Sequence, residues 1–418
     1  MLFPARVTDQ LQASLEHFLG HAENERQAYR AFARALGGLE RLTGEELAAR
    51  LAAAARPGAL LSEEWGRDSG LFLPFPIQFG HHRAAREWAL DRVSNVLTIA
   101  VDGSEIKPTK DYSLPIGAVQ VAWFENPHGP SGRYVKDVAF EVVYPDELTR
   151  DNSDGFGASD QLLALRRFQG EVNRLVERIE IAARRGWSGP PPVAFFDGSL
   201  VVSFAAMMLE TIGAEYIAGI CRLLEVSERV GIPLVGYIDT SLAKDVATML
   251  AAITAFPLPQ KVPDSNLLNR RMSWGDRTRA LVCARDDVLG RYLMQNHGTA
   301  SALAPRPAGH SPDSSIRDFT REICFLYLKT NQQSAPARLD IPRWVVRAGL
   351  LDYVVDVVRA EVIVGNGYPY CIETADACAV LGGADREHFY RLVQEFAASH
   401  GVETTIVPKA ASKRRRRV

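Results

Sequence analysis

Residues 96–104 read VLTIAVDGS and residues 193–199 read VAFFDGS, so one short pattern occurs twice in the chain. In each copy a continuous apolar run is followed directly by Asp, Gly and Ser. An uninterrupted apolar run of this length is typical of a strand that is buried on both faces of a sheet. The pattern therefore predicts two buried strands, at residues 96–101 and 193–196, that end at Asp102 and Asp197.

The segments around these two strands predict a mixed α/β sheet. Two further strands are expected at residues 117–124 and 135–143, joined by a turn rich in Pro and Gly. A long helix is expected at residues 159–185, and helices and strands alternate after it, with a single helix at residues 344–357. Three leading strands, a helix and then α/β units form the order of a ribonuclease H-like fold, in which helices flank a mixed β-sheet core.

Three parts are expected along the chain. Residues 1–93 predict an N-terminal helical extension, in which Thr43 and Glu46 form a capping box. Residues 94–400 carry the predicted sheet with its helices. Residues 401–418 end in KRRRRV and predict a disordered basic tail.

The composition predicts an ordinary globular protein. Of the 418 residues, 47% are hydrophobic and 23% are charged, and the formal net charge is -2. Contacts with nucleic acid would therefore depend on local basic patches. The five cysteines include no CxxC pair, which argues against a zinc site or a disulfide framework. No signal peptide and no apolar run of membrane-spanning length is evident, so we expect a cytoplasmic protein that does not contact a membrane.

The two DGS segments predict a divalent metal site. Ligands bind outside the carboxyl ends of strands in α/β sheets, and a Gly after the Asp lets the chain turn sharply towards a ligand. Carboxylates of Asp102 and Asp197 on adjacent strands could share one cation. The alternative is that both segments are Asp/Ser turns that cap the following residues. The repeated pattern alone does not decide between these two interpretations.

A third carboxylate is expected on the long helix between the two strands. Glu171 lies three residues after Phe168 and four before Leu175, so it touches the apolar stripe of that helix. Glu177 and Glu180 lie nearer the solvent side. Because an inward-facing carboxylate is costly unless it is paired or metal-bound, Glu171 is the first choice and Glu177 the second. A position for Glu171 at the rim of the helix is the alternative.

A second candidate site lies in residues 365–381, GNGYPYCIETADACAVL. The glycines and the proline fix Tyr368, and the following helix carries Glu373 and Asp376. Asp376 lies among small apolar residues, so we expect it to be semi-buried and to meet Tyr368 if the turn folds back on the helix. The alternative is a capped helix start with a structural tyrosine.

Three cationic side chains are candidates for contacting phosphate. Lys107 follows the first DGS segment, Lys329 ends a predicted strand, and Arg338 lies in the segment ARLDIPRW. Arg338 could equally pair with a carboxylate. Each of the three is also explained by an ordinary solvated surface charge.

Taken in order, these features resemble the NurA nuclease family over residues 96–380. The features that carry the resemblance are the DGS at Asp102, the helical RR-x(3)-E of Arg166, Arg167 and Glu171, the DGSL at Asp197, and the GYP at Tyr368 before an acidic helix. The segment FLYLKTNQQSAPARLDIPRW, residues 325–344, resembles the bacterial branch of the family.

The resemblance implies a ribonuclease H-like core with metal-binding carboxylates and a preference for Mn²⁺, with Mg²⁺ as the alternative ion. NurA proteins degrade DNA from 5′ ends, cut single strands, form homodimers and work with the hexameric ATPase HerA. The implied role is DNA end resection and repair, or phage defence. Asp102, Glu171, Asp197 and Tyr368 take the family's site positions. Asp376 stands where family members often have a histidine, so it could bind metal, act as a base or have lost its role.

Two other functions remain open at the level of sequence. The replacement at Asp376 also fits a catalytically inactive adaptor that binds DNA and docks on a HerA-type ring. A different ribonuclease H-like enzyme would prefer RNA or hybrid duplexes. For the nuclease, we expect Asp102, Glu171 and Asp197, with Asp376, to hold one or two metal ions while Tyr368 orients the water or a phosphate.

Overall fold

A computed structural model describes residues 2–66, 70–109, 111–149, 156–208, 210–254, 262–285, 292–295, 304–305 and 316–402. The predicted basic tail, residues 401–418, lies outside the described residues except for its first two.

The described residues form thirteen α-helices, fourteen strands and two short 3-10 helices. The α-helices are α1 Pro4–Ala13, α2 Leu15–Leu39, α3 Gly44–Ala53, α4 His82–Val93, α5 Pro145–Thr149, α6 Phe156–Arg185, α7 Glu210–Val230, α8 Asp245–Thr254, α9 Asp264–Asn269, α10 Arg343–Arg347, α11 Leu351–Val364, α12 Tyr370–Ala379 and α13 Gly383–Ser399. The strands are β1 Gly58–Leu61, β2 Phe72–Leu73, β3 Thr98–Ile106, β4 Gly117–Asn126, β5 Val135–Val143, β6 Val193–Asp197, β7 Leu234–Ile238, β8 Arg277–Thr278, β9 Leu281–Ala284, β10 Tyr292–Gln295, β11 Ala304–Pro305, β12 Ile316–Asp318, β13 Ile323–Leu328 and β14 Ala337–Pro342. The 3-10 helices are Ser203–Met207 and Phe319–Glu322.

Two compact units share the chain, and each is assembled from separate segments. Unit 1 consists of Met1–Gln78, Ile238–Arg291 and Asp318–Ala348. Unit 2 consists of Phe79–Tyr237, Tyr292–Arg317 and Gly349–Val418.

The sheet of unit 2 has the strand order β7-β6-β3-β4-β5. Strands β3, β4 and β5 are antiparallel neighbours, whereas β6 runs parallel to β3 and β7 runs parallel to β6. Three antiparallel leading strands, followed by two parallel strands on the other side of the first, form the ribonuclease H-like order. The predicted fold class, a mixed sheet flanked by helices, is therefore confirmed.

Helices cover both faces of this sheet. Helix α6 packs on the face to which Gly103 belongs, because a Cβ at Gly103 would lie 2.6 Å from the Oε1 of Glu171. Helix α12 lies on the face to which Ser104 belongs, and the backbone N–H of Leu381 just beyond it donates to the Ser104 hydroxyl at 3.2 Å. Successive strand residues point to opposite faces, so these two contacts place the helices on opposite sides.

Unit 1 is built on antiparallel pairing. Strand β1 pairs with β9, β9 with β13, and β13 with β14, while the short β8 pairs with β2 and β13. The predicted capping box opens α3: the Thr43 hydroxyl accepts from the Glu46 N–H at 3.2 Å, and the Glu46 carboxylate accepts from the Thr43 N–H at 2.9 Å.

One predicted helix is wrong. The single helix expected at residues 344–357 is two helices, α10 and α11, because Gly349 between them adopts a φ of +70°. Glycine adopts this left-handed conformation without steric cost, and it ends a helix.

No helix in the described part of the chain is both long enough and apolar enough to cross a membrane.

Arg338 lies inside unit 1 as part of a buried charge network. Its side chain is 2% exposed, and its Nε donates to Oδ1 of Asp340 at 2.7 Å while its Nη1 donates to Asp245. The guanidinium also lies 4.0 Å from the centre of the Phe325 ring. Because these partners enclose the guanidinium, a structural role accounts for Arg338.

We predict that Arg338→Met lowers the free energy of unfolding by about 3–5 kcal/mol, because it leaves buried carboxylates without their cation. The measurement is urea denaturation. Arg83→Met is the control, since the Arg83 side chain is 83% exposed and pairs with Glu87 in solvent. Equal stability of the two variants would contradict the structural role.

Candidate active site

Asp102 and Asp197 lie side by side at the point where β3 and β6 separate. The parallel register aligns Val101 with Phe196, so the two aspartates occupy the next position on each strand and share one face of the sheet. Strand β6 ends at Asp197, whereas β3 continues to Ile106 on its pairing with β4. The first aspartate therefore lies within a strand, and not at its end as the sequence predicts.

The turn after Asp197 depends on two glycines. Gly198 has a φ of +145°, which a residue with a side chain rarely adopts, and its N–H donates to the carbonyl groups of Phe196 and Tyr237 at 3.0 and 3.1 Å. Gly236 on β7 lies beneath this turn, because a Cβ there would be 2.7 Å from the Gly198 oxygen. The turn is thereby held against β7, and Asp197 is left exposed to solvent.

Glu171 approaches the same part of β3 from α6. It is 6% exposed, and it fits there because Gly103 has no side chain. The Glu177 and Glu180 side chains are 46% and 36% exposed, and both pair with arginines at the surface. Among the three glutamates considered from the sequence, Glu171 is the one close enough to Asp102 and Asp197 for their charges to raise its pKa.

Tyr368 contacts the same group of carboxylates. Its hydroxyl donates to Oδ1 of Asp197 at 2.9 Å, a contact that the sequence did not predict. Its ring packs edge-on against Tyr237, with 5.1 Å between the ring centres. The turn before it requires Gly365, where a Cβ would overlap the carbonyl oxygen of Tyr368. The predicted glycine frame around the tyrosine is present.

Asp376 on α12 is solvent-exposed, whereas the sequence predicted a semi-buried side chain. The preceding Ala375 is on the buried side of α12, and Asp376 is on its exposed side. It lies close enough to Asp102 for its charge to raise the pKa of that carboxyl. We call Asp102, Glu171, Asp197 and Asp376 the carboxylate cluster.

Two members of the carboxylate cluster, Asp102 and Glu171, have raised pKa values. Burial, together with the charges of Asp197 and Asp376, raises the pKa of Asp102 to about 6. Burial, with Asp102 and Asp197 adding to it, raises the pKa of Glu171 to about 7. Repulsion between neighbouring carboxylates is what a bound cation relieves, so this is a favourable place for positive charge.

Arg167 supplies positive charge at this place. Its Nη1 donates to Oε1 of Glu171 at 2.6 Å, and its Nε donates to Oε2 of Glu105 at 3.0 Å. The charge of Arg167 opposes the rise in the pKa values of both Asp102 and Glu171. Glu105 was not identified from the sequence, although it follows the first DGS segment directly. The contact of Arg167 with Glu171 follows from their spacing of four residues on α6.

A second residue missed at the level of sequence is Glu361, which anchors the start of α12. It is 1% exposed, and its carboxylate accepts from the Thr98 hydroxyl at 3.0 Å and from the Cys371 N–H at 2.9 Å. His128 lies 3.3 Å from the same carboxylate, which raises the pKa of the imidazole despite its burial. This network ties α11 and α12 to β3. Its signal in the sequence is a glutamate within the apolar run AEVIV.

The donors of the carboxylate cluster suit a hard divalent cation, because Mn²⁺ and Mg²⁺ prefer carboxylate oxygens. Within the described ranges, however, no group of three or more His, Cys, Asp or Glu side chains is arranged to hold a metal ion. Glu171 is engaged by Arg167. The chemistry therefore fits such an ion, and ligation would require these side chains to change conformation.

The three predicted phosphate contacts have different surroundings. Lys107 belongs to unit 2, and its side chain is 49% exposed, 3.5 Å from Glu105 and 3.6 Å from Asp160. Lys329 belongs to unit 1 and is buried, with its Nζ donating to Asn269 and to a backbone carbonyl. Like Arg338, it is accounted for by contacts inside unit 1. Of the three side chains, Lys107 is the one available at the surface.

Comparison with known proteins identifies the family. The NurA domain model matches residues 96–381. Among solved structures, the catalytic domain of human endonuclease V is 12% identical, with 73% of this chain and 88% of that chain covered and a TM-score of 0.32. Endonuclease V from Bacillus subtilis is 11% identical, with 76% and 95% covered and a TM-score of 0.28. Both structural similarities are weak, and the comparison with curated proteins gave no significant match.

The matched region covers more than half of the chain, and it includes the whole carboxylate cluster and Tyr368. The chain therefore belongs to the NurA family of nucleases.

Proposed function

We propose that this protein is a metal-dependent deoxyribonuclease whose active site is the carboxylate cluster. The observation that carries this proposal is the alignment of Asp102 and Asp197 across parallel strands, with Glu171 packed against Gly103, the residue that follows Asp102. Membership in a nuclease family supports the reaction class. The resemblance supports DNA, rather than RNA, as the substrate.

Asp102, Glu171 and Asp197, together with Asp376, would hold one or two Mn²⁺ ions, with Mg²⁺ as the alternative. Ions bound there would supply an activated water and stabilise charge on the scissile phosphate and the leaving oxygen. The carboxylates would bind the ions, and Tyr368 would orient the reacting groups. The Tyr368 hydroxyl donates a hydrogen bond to Asp197, and this contact holds the hydroxyl at the site. From there the hydroxyl oxygen can orient a water or a phosphate.

The finer features of the proposal follow the family. They are degradation from 5′ ends, cleavage within single strands, a homodimer, and action with a HerA-type hexameric ATPase in DNA end resection, repair or phage defence. The exposed Lys107 lies 3.5 Å from Glu105, which is on the same strand as Asp102. Lys107 is the proposed phosphate contact in unit 2. The basic tail, which lies outside the described residues, would add affinity for DNA that does not depend on base sequence.

The second candidate is a catalytically inactive adaptor that binds DNA on a HerA-type ring. The observation that favours it is the exposed Asp376 at the position where relatives often have histidine, because this aspartate adds negative charge to an already crowded cluster. The adaptor would bind DNA and show no metal-dependent cleavage, either alone or with the ATPase.

We predict that Asp102→Asn lowers DNA cleavage by at least about 100-fold, the scale on which loss of a group that stabilises transition-state charge acts. The assay is cleavage of end-labelled single- and double-stranded DNA with Mn²⁺, Mg²⁺ or EDTA. Asp91→Asn is the matched control, because the Asp91 side chain is 70% exposed on α4. DNA binding by the Asp102 variant should persist. Undiminished cleavage by that variant would exclude this active site, and no cleavage by the wild-type protein would favour the adaptor.

We predict that Tyr368→Phe slows cleavage by about 10- to 100-fold. This is the lower end of the rate contribution expected from a side chain that transfers a proton or orients a reactant. The ring stays packed on Tyr237, so the loss concerns the hydroxyl alone. Tyr370→Phe is the control two residues away, where the ring packs against Phe124. The rate at saturating DNA should fall in the first variant and remain unchanged in the second. Equal rates would remove Tyr368 from the site.

We predict that Gly103→Ala displaces the Glu171 carboxylate, because the new Cβ would lie 2.6 Å from Oε1. Cleavage and Mn²⁺ affinity should both fall while the fold persists, since Glu171 is a flexible side chain that can move aside. Calorimetric titration with Mn²⁺ and far-UV circular dichroism are the two measurements. Gly20→Ala is the control, because an added Cβ there has nothing within 4 Å. Wild-type Mn²⁺ binding by Gly103→Ala would argue against Glu171 as a ligand.

A further inference from the structure

Arg167 is held against the carboxylate cluster by two separate acids. Glu171, whose side chain is 8% exposed, accepts from Nη1 at 2.6 Å, and Glu105, whose side chain is 17% exposed, accepts from Nε at 3.0 Å. The Arg167 side chain itself is 35% exposed, so one side of it faces solvent. The guanidinium therefore has an inner partner that belongs to the proposed metal site and a second partner that does not.

The inner contact occupies a carboxylate that a metal ion would need. A charge-assisted hydrogen bond of 2.6 Å is among the strong ones, and it fixes the direction of the carboxylate oxygen. A divalent ion that takes Oε1 of Glu171 would either replace the Arg167 N–H or lie close to its positive charge. Like charges at such a distance in a partly buried site repel strongly. The ion and the guanidinium therefore compete for one carboxylate.

The outer contact gives Arg167 a place to remain when the inner one breaks. Glu105 lies on the same strand as Asp102, and its carboxylate is also 3.5 Å from the exposed Lys107. Rotation of the guanidinium about its bond to Glu105 would withdraw Nη1 from Glu171 while Nε stays bound. Arg167 itself packs over Gly103, where an added Cβ would lie 3.0 Å from its Cγ, so the strand places no side chain of its own between the two acids.

We propose that Arg167 acts as a competitor of the metal ion: it neutralises Glu171 until a divalent cation displaces it, and it then remains on Glu105. This inference rests on the proposed metal-dependent function. It makes Arg167 a residue that sets the metal affinity of the site, and it differs from a purely supporting role, in which Arg167 would hold Glu171 ready as a ligand. The two roles predict opposite effects when the charge is removed.

The test is calorimetric titration of the full chain with Mn²⁺. Arg167→Met removes the charge and keeps an aliphatic side chain, and it should bind Mn²⁺ about tenfold more tightly, because a like charge beside the ion is lost. Arg166→Met is the matched control on the same helix, since Arg166 pairs with Glu147 and its side chain is 48% exposed. The control should bind Mn²⁺ as the wild type does. Arg167→Lys keeps the charge and should stay close to the wild-type affinity.

Thermal denaturation supplies a second readout that does not depend on cleavage. Without metal, Arg167→Met should melt at a lower temperature than the wild type, because Glu171 is left buried without its cation. Mn²⁺ should raise its melting temperature by more than it raises that of the wild type, since tighter binding adds more stability. If Arg167→Met fails to fold without metal, Arg167→Gln and refolding in the presence of Mn²⁺ provide the same comparison.

The outcomes separate the inference from the proposed function. Weaker or unchanged Mn²⁺ binding by Arg167→Met, beside clear binding by the wild type, would overturn the competition and leave the metal site standing. Absence of Mn²⁺ binding by the wild type and by all variants would overturn the metal-dependent function, and the inference with it.

Discussion

In unit 2, several carboxylates lie close together where two neighbouring strands of the sheet separate, and they repel one another. The arrangement of the candidate active site depends on how this repulsion is offset. Strands β3 and β6 run in register as far as Val101 and Phe196 and then separate, which places Asp102 beside Asp197. Glycine opens the space for this arrangement, at Gly103 for the approach of α6 and at the turn after β6. Burial of neighbouring carboxylates costs free energy, and this cost is what the proposed metal ion would relieve.

The surrounding structure offsets that repulsion and fixes the parts of the site. Arg167 provides the nearest positive charge, and the buried Glu361 ties the start of α12 to β3, which orients the segment that carries Tyr368 and Asp376. The aspartate–tyrosine contact then joins the C-terminal segment to the second DGS. Charge compensation and positioning thus come from different residues, and each can be altered separately.

The sequence predicted those features that depend on local periodicity. Apolar runs identified β3 and β6, and helical spacing selected Glu171 over the two exposed glutamates on α6. Features that depend on distant pairing were missed. Strands β1 and β9 are short segments that pair with each other across more than 200 residues of chain, and Arg338 is a core residue because buried acids surround it. The exposure of Asp376 was likewise a property of packing, which small neighbours in the sequence did not reveal.

In the proposed function, the carboxylate cluster binds the metal ion that supports DNA cleavage. Crystals of the full chain grown with Mn²⁺, and measured for anomalous scattering of manganese, test it most directly. We expect an anomalous peak at about 2.0–2.6 Å from carboxylate oxygens of Asp102 and Asp197, the distance range of divalent ions bound by oxygen. A manganese peak at other residues, with neither aspartate as a ligand, would show that the carboxylate cluster is not the metal site.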